Sequence, residues 1–218
     1  MSENDKIEYK VTLIGNSSVG KTSLFKKITT GEFSDKNIST IGMDKRTVQV
    51  EIEVQEKDKN VTKSIDISLV DTAGQERFKS ITKSYYKESD GILLIYDITN
   101  RESFENVKNW IDSIYDSLGN QENSKYIIIL IGNKVDLIGV EEYVREVNED
   151  EGKAICEEKG LIWGGETSVK NIQFQELENL FRDYVKHIYD KVGEKKIVKQ
   201  VTKKMDGYKK KRKSGCFF

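Results

Sequence analysis

"KVTLIGNSSVGKTSLFKKITTG" spans residues 10–31, and the reading of its middle, "GNSSVGKTS" from Gly15 to Ser23, decides the fold. The apolar run "KVTLI" leads into it and a helical pattern, "KTSLFKKITTG", leads out. The spacing G-x-x-x-x-G-K-[ST] between a strand and a helix is that of a phosphate-binding loop. Gly15 and Gly20 let the backbone curl, so that the N–H groups across Ser17, Ser18, Val19 and Gly20 turn inward beside a helix N-terminus. Lys21 places a point charge on the β- and γ-phosphates. Thr22, with Ser23 behind it, offers a hydroxyl to Mg²⁺.

Outward from this loop, two periodicities alternate through residues 7–193. Strands are expected at "YKVTLIG" (9–15), "SIDISLVD" (64–71), "GILLIYDIT" (91–99) and "KYIIILIG" (125–132). The last two are almost unbroken apolar runs, as in parallel strands covered on both faces. Between them, "ESFENVKNWIDSIYDSLG" places Phe104, Val107, Trp110, Ile111, Ile114, Tyr115 and Leu118 on one stripe. "NIQFQELENLFRDYVKHIYDKVG" does the same with Ile172, Leu177, Leu180, Phe181, Tyr184, Val185 and Ile188. The pattern predicts an α/β fold: a single domain built on a mostly parallel sheet with helices on both faces. Ligands of such sheets sit at the carboxyl ends of the strands.

Two strand-end stretches name the base. In "NKVD" (133–136), Asp136 can accept from both N1–H and the 2-amino group of guanine. Adenine offers neither donor, and a buried carboxylate left unpaired rejects it by roughly 10⁴-fold. Asn133 is expected to tie this loop to the phosphate loop, with the Lys134 stem over one ring face. "ETSVK" (166–170) brings Ser168, Val169 and Lys170, with a backbone N–H near Val169 aimed at guanine O6. Phe33, in "GEFSD", is placed to stack on the ring.

The chemistry is read from "DTAGQERF" (71–78) and "NISTIGMD" (37–44). Asp71, at a strand end, is a Mg²⁺ ligand through water, and Thr40 a second hydroxyl for the metal. The Gly74 N–H reaches the γ-phosphate, and Gln75 orients the attacking water. Loss of the γ-phosphate then removes the contacts that order both segments.

"GNSSVGKTS", "STIG", "DTAGQERFKSIT", "YYK", "LIYDIT", "NKVD" and "ETSVK", in this order, resemble the Ras superfamily of small GTPases and, within it, the Rab branch. The resemblance covers about residues 7–190. It implies a P-loop GTPase domain, a six-stranded sheet with about five helices, GTP/GDP cycling with Mg²⁺, and a place in vesicle traffic. It also implies an exchange factor, a GTPase-activating protein, a GDP dissociation inhibitor or escort protein, and effectors. Lys45 and Val70 depart from the aromatic residues usual in Rabs, leaving Tyr85 alone of that cluster, so effector identity does not carry over. "VEIEVQEKDKNVTKSI" (50–65) lengthens the hairpin between the two switches and reads as extended and charged. The two glycines of "WGGETS" are expected to loosen the base-reading loop.

Charge divides the chain. Ten cations and two acids from Glu194 to Phe218 give that stretch +8, against −1 for the whole, leaving −9 on residues 1–193. The division expected is a GTPase domain over 1–193 and a flexible basic tail over 194–218. With "YKKKRKSGCFF" at its end, the tail reads as an anchor to an anionic membrane, lipidated on Cys216. Cys216 stands third from the last residue given, whereas C-a-a-X needs the fourth, which resembles the escort-assisted prenylation of Rabs. The expected location is the cytoplasmic face of an intracellular membrane, with a cytosolic pool. The absence of a secretory leader pattern and of an 18-residue apolar run agrees with that. Two other readings stay open here: a GTP-binding adaptor with negligible turnover, and a tail serving nucleic acid. The terminal cysteine, and the lack of aromatics among the cations, favour membrane over nucleic acid. Cys156 is expected in the core and His187 in solvent.

Overall fold

The computed structural model describes residues 6–33, 43–57, 59–72, 87–119 and 125–194. Thr40, Gly74, Gln75, Tyr85 and Cys216 lie outside them. The described elements, in chain order, are β1 (Ile7–Ile14), α1 (Lys21–Thr30), β2 (Met43–Glu56), β3 (Lys59–Thr72), β4 (Gly91–Asp97), α2 (Arg101–Leu118), β5 (Ile127–Asn133), α3 (Glu149–Lys159), β6 (Ile162–Thr167) and α4 (Phe174–Val192). A single 3₁₀ turn covers Val135–Leu137. The six strands form one sheet in the order β2-β3-β1-β4-β5-β6. All neighbours are parallel except β2 and β3.

Both faces of the sheet are covered, as the unbroken apolar runs require. Along β4 the side chains alternate: Leu93 and Ile95 enter a core with Leu24, Phe25, Phe181 and Ile188 of α1 and α4. Ile92, Leu94 and Tyr96 enter a second core with Phe104, Val107 and Ile111 of α2 and Cys156 of α3. Cys156 is buried, and burial pushes its thiol up to about 12. His187 is exposed. The stripe expected on α2 is buried from Phe104 to Ile114, with Tyr115 and Leu118 at its margin. α4 begins at Phe174, so Ile172 packs from the preceding turn rather than from the helix.

The hairpin departs most from expectation. β2 and β3 pair over 14 residues each, in register from Met43↔Thr72 to Glu56↔Lys59. Its far half is not merely charged: Ile52 is 1% and Val54 7% exposed, within the core that includes α4. The alternation of "VEIEVQE" therefore buries one face and solvates the other. The hairpin also reaches the end of α4. Lys63 Nζ lies 2.6 Å from Glu56 and 2.9 Å from Glu194, and the Tyr9 hydroxyl donates to Gly193 O at 2.6 Å. Glu194, expected to open a free tether, is thus held against the domain. Lys45 and Val70 are cross-strand partners; Val70 is buried and Lys45 exposed.

The glycines of "WGGETS" lie within β6 itself. Leu130 pairs with Trp163 and Gly132 with Glu166, so β6 carries one extra residue, a bulge. A Cβ on Gly164 would lie 2.7 Å from Ile129 Cγ2 and 3.0 Å from Leu130 O, while Gly165 has φ +88°. The Tyr184 hydroxyl donates to Gly164 O at 2.6 Å, clamping the bulge to α4.

Candidate functional site at the strand ends

The phosphate loop leaves β1 at Gly15 and enters α1 at Lys21. Its glycines are required by space. A Cβ on Gly15 would come within 2.1 Å of Ile95 O, and one on Gly20 within 2.2 Å of Asn133 Nδ2. Both have positive φ, +143° and +103°. Lys21 is 4% exposed, and its Nζ donates to Asn16 O at 2.6 Å, drawing the ammonium across the mouth of the loop. The Trp110 indole N–H donates to Asn16 Oδ1 at 2.8 Å, so α2 steadies the same residue. Val19 is buried, and Ser17 and Ser18 are exposed.

Beside the loop, the Thr22 hydroxyl donates to Asp71 Oδ2 at 2.6 Å, joining the start of α1 to the end of β3. A hydroxyl and a carboxylate are the hard oxygen donors that Mg²⁺ takes, and the ion needs few of them from protein because it keeps several waters. Among the described residues no group of three or more His, Cys, Asp or Glu could hold a metal. A hydroxyl paired with a carboxylate is the kind of donor set a sparsely ligated magnesium takes.

Asn133 links three segments. Its Nδ2 donates to Val19 O at 2.8 Å, and its Oδ1 accepts from Val169 N at 3.1 Å. The tie to the phosphate loop is as the sequence predicts. The Val169 N–H, however, aimed at guanine O6 in the sequence reading, is engaged by Asn133 here. Lys134 follows with φ +74°, and its Nζ pairs with Asp97 Oδ2 at 2.6 Å. Asp136 Oδ1 accepts from Ser168 Oγ at 2.6 Å, and Ser168 Oγ in turn accepts from Asn171 N at 3.0 Å. Phe33 packs at the edge of the core, with Lys27 Nζ 5.9 Å from its ring centroid.

The sheet register makes this convergence possible: Leu13 is level with Asp71, Asp97 with Asn133, and Asn133 with Thr167. Lys21, Thr22, Asp71, Asn133, Lys134, Asp136, Ser168 and Val169 are thus brought to one end of the sheet. Sequence reasoning missed Asp97, Asn16 and Trp110. Asp97 had a visible signal, an acid closing the strand "LLIYD". The Trp110–Asn16 contact had none, since it joins residues 94 positions apart. A groove of about 230 Å³, lined by Val48, Val50, Phe174, Leu177, Phe181 and Arg182 among others, shares no residue with these loops.

The chain is similar in sequence to known proteins. A profile described as "Ras family" matches residues 10–190. The chain is 36% identical over 189 residues to "Ras-related protein RGP2" of Oryza sativa subsp. japonica, covering 87% of this chain and 78% of that protein. It is 37% identical over 194 residues to "Ras-related protein Rab11C" of Lotus japonicus, covering 88% and 80%. It is 36% identical over 208 residues to "Ras-related protein RABA5a" of Arabidopsis thaliana, covering 94% and 86%.

Proposed function

Because the chain belongs to the Ras family, in its Rab branch, and is by that membership a guanine-nucleotide-binding GTP hydrolase, we propose that the strand-end site described above is its nucleotide site and that it works as a membrane-recruited switch in vesicle transport. The observation that carries the placement is the side chain of Asn133. A single amide joins the phosphate loop to the loop after β6, and the loop it opens carries Asp136.

In this reading the backbone N–H groups from Gly15 to Lys21, with the Lys21 ammonium, hold the β- and γ-phosphates. Their fixed orientation stabilises charge on the transferring phosphoryl group without reorganisation. Asp136 accepts from guanine N1–H and the 2-amino group, aimed by Ser168. Lys134, held by Asp97, covers the ring, and Phe33 borders it. Bound at Thr22, Thr40 and Asp71, Mg²⁺ would supply neutralisation of charge shared by the β- and γ-oxygens. Gln75 orients the water that attacks the γ-phosphorus, and the Gly74 N–H senses the phosphate. Residues 1–193 form the GTPase domain. The basic stretch after it, with a lipid on Cys216, holds the protein at an anionic cytoplasmic membrane surface. Each Lys or Arg near such a surface contributes about 1 kcal/mol, and one chain plus a basic patch suffices for stable anchoring. An exchange factor, a GTPase-activating protein, a dissociation inhibitor or escort, and effectors complete the cycle.

The test is Gln75→Leu in single-turnover hydrolysis with a bound, labelled GTP. The variant is expected to bind GTP as wild type does and to hydrolyse it at least about tenfold more slowly, as loss of a water-orienting group predicts. Equal rates would remove Gln75 from its role. Turnover that no activating protein accelerates would favour the adaptor reading instead.

A further inference from the structure

Lys27 is 6% exposed, in the last turn of α1, far along the helix from the phosphate loop. A buried ammonium is expensive unless its donors are satisfied, and a packed apolar side chain of similar volume is often neutral or better. Among the described residues no carboxylate lies within 4.0 Å of Lys27 Nζ. Its partners are two consecutive carbonyls across the domain, Val169 O at 2.8 Å and Lys170 O at 3.1 Å. Burial in these surroundings holds its pKa below the ordinary lysine value.

Those two carbonyls belong to the loop after β6. A peptide unit is planar, with its C=O and the next N–H pointing opposite ways, so gripping the oxygen sets the direction of the hydrogen. Holding Lys170 O orients the Asn171 N–H, which donates to Ser168 Oγ at 3.0 Å; that hydroxyl donates to Asp136 Oδ1 at 2.6 Å. Holding Val169 O fixes a second peptide, the one it shares with the Lys170 N–H; the peptide before it is tied to Asn133 through the Val169 N–H. An unbroken relay therefore runs from Lys27 to the carboxylate, with every link at hydrogen-bond distance.

From this geometry we infer that Lys27 is a positioning residue for base recognition: it sets the loop 168–171 so that Ser168 presents Asp136 to the guanine edge. The inference rests on the proposed assignment of Asp136 to the base. It goes beyond that assignment by making selectivity depend on a residue that touches neither base nor phosphate.

The experiment measures competition against a fluorescent GDP by GDP, inosine diphosphate and ADP, on full-length wild type, Lys27→Met, Lys27→Gln and Lys27→Arg. Inosine lacks the 2-amino group, so the GDP-to-inosine-diphosphate ratio reports how well the carboxylate meets that group. Far-UV circular dichroism checks that each variant is folded. Lys27→Met is expected to lower the ratio about tenfold, the scale of one buried hydrogen bond lost or misaligned. Lys27→Gln, which keeps a donor, is expected to fall between, and Lys27→Arg to recover most of the wild-type ratio. A fall in affinity for all three nucleotides with the ratio unchanged would mean a purely structural lysine and would overturn the inference. So would an unchanged Lys27→Met. A wild type that binds ADP as well as GDP would instead sink the base-site assignment itself, whatever the Lys27 variants do.

Discussion

Gly164 and Gly165 sit side by side in the same bulge, yet they should respond differently to one added methyl group. At Gly164 a Cβ would be forced to 2.7 Å from Ile129 Cγ2 and 3.0 Å from backbone oxygen, and neither neighbour is the loose end of a long side chain. At Gly165 nothing lies within 4 Å, and only the left-handed φ of +88° resists substitution. Gly165→Ala is therefore expected to cost about 1 kcal/mol, and Gly164→Ala about 2 kcal/mol or more. Chemical denaturation followed by fluorescence would rank the two. The reverse order would mean that backbone strain, not packing, governs the bulge. Two adjacent glycines suggest slack when read from sequence alone. The space around them is decided by β5 and α4, which a local reading cannot see. The convergence of Lys21, Thr22, Asp71, Asn133 and Asp136 at one end of the sheet, by contrast, was legible because each stands at a motif position at or after the end of a strand. Lys27 was not, since its partners lie 142 and 143 residues away.

At the scale of an element, α3 shows how one side chain can start a helix and dock it. Glu151 Oε1 accepts from Asn148 N at 3.1 Å, closing the first turn, while Oε2 accepts from Arg101 Nη1 at 2.6 Å at the head of α2. The Arg101 contact first, and the Asn148 N–H second, hold the Glu151 carboxyl below the usual carboxylate range. A group whose folded pKa is depressed stabilises above its unfolded pKa and loses that contribution as pH falls through the folded value. Wild type should thus lose melting temperature between about pH 5 and pH 3 more steeply than Glu151→Gln, the two curves converging in acid. Parallel curves would show that the contact contributes nothing. Elements were mostly predictable where periodicity was strong, as in α2 and β4, whose buried faces alternate as expected. The hairpin was harder. Its glutamates dominate the text of "VEIEVQEKDKN", while the burial of Ile52 and Val54 depends on α4, more than a hundred residues later.

For the whole molecule, the charge division is the governing quantity: −9 on residues 1–193 and +8 beyond. Among the described residues no helix is long and apolar enough to cross a membrane. In the proposed reading, attachment falls to the basic stretch and to Cys216. Full-length protein carrying Cys216→Ser is expected to lose its membrane signal in cells, while nucleotide binding in vitro stays unchanged. Retention at membranes would refute lipid anchoring through that cysteine. The latch formed by Lys63, Glu56 and Glu194, with Tyr9 on Gly193, bears on what such attachment does mechanically. If the chain is held from beyond Glu194, a pull would reach the β2–β3 ribbon through Lys63 as well as α4. That ribbon pairs without a break as far as Met43 and Thr72, at the end of the sheet that holds Asp71. In that reading, towing the molecule from its rear would load the strands that end at the proposed site.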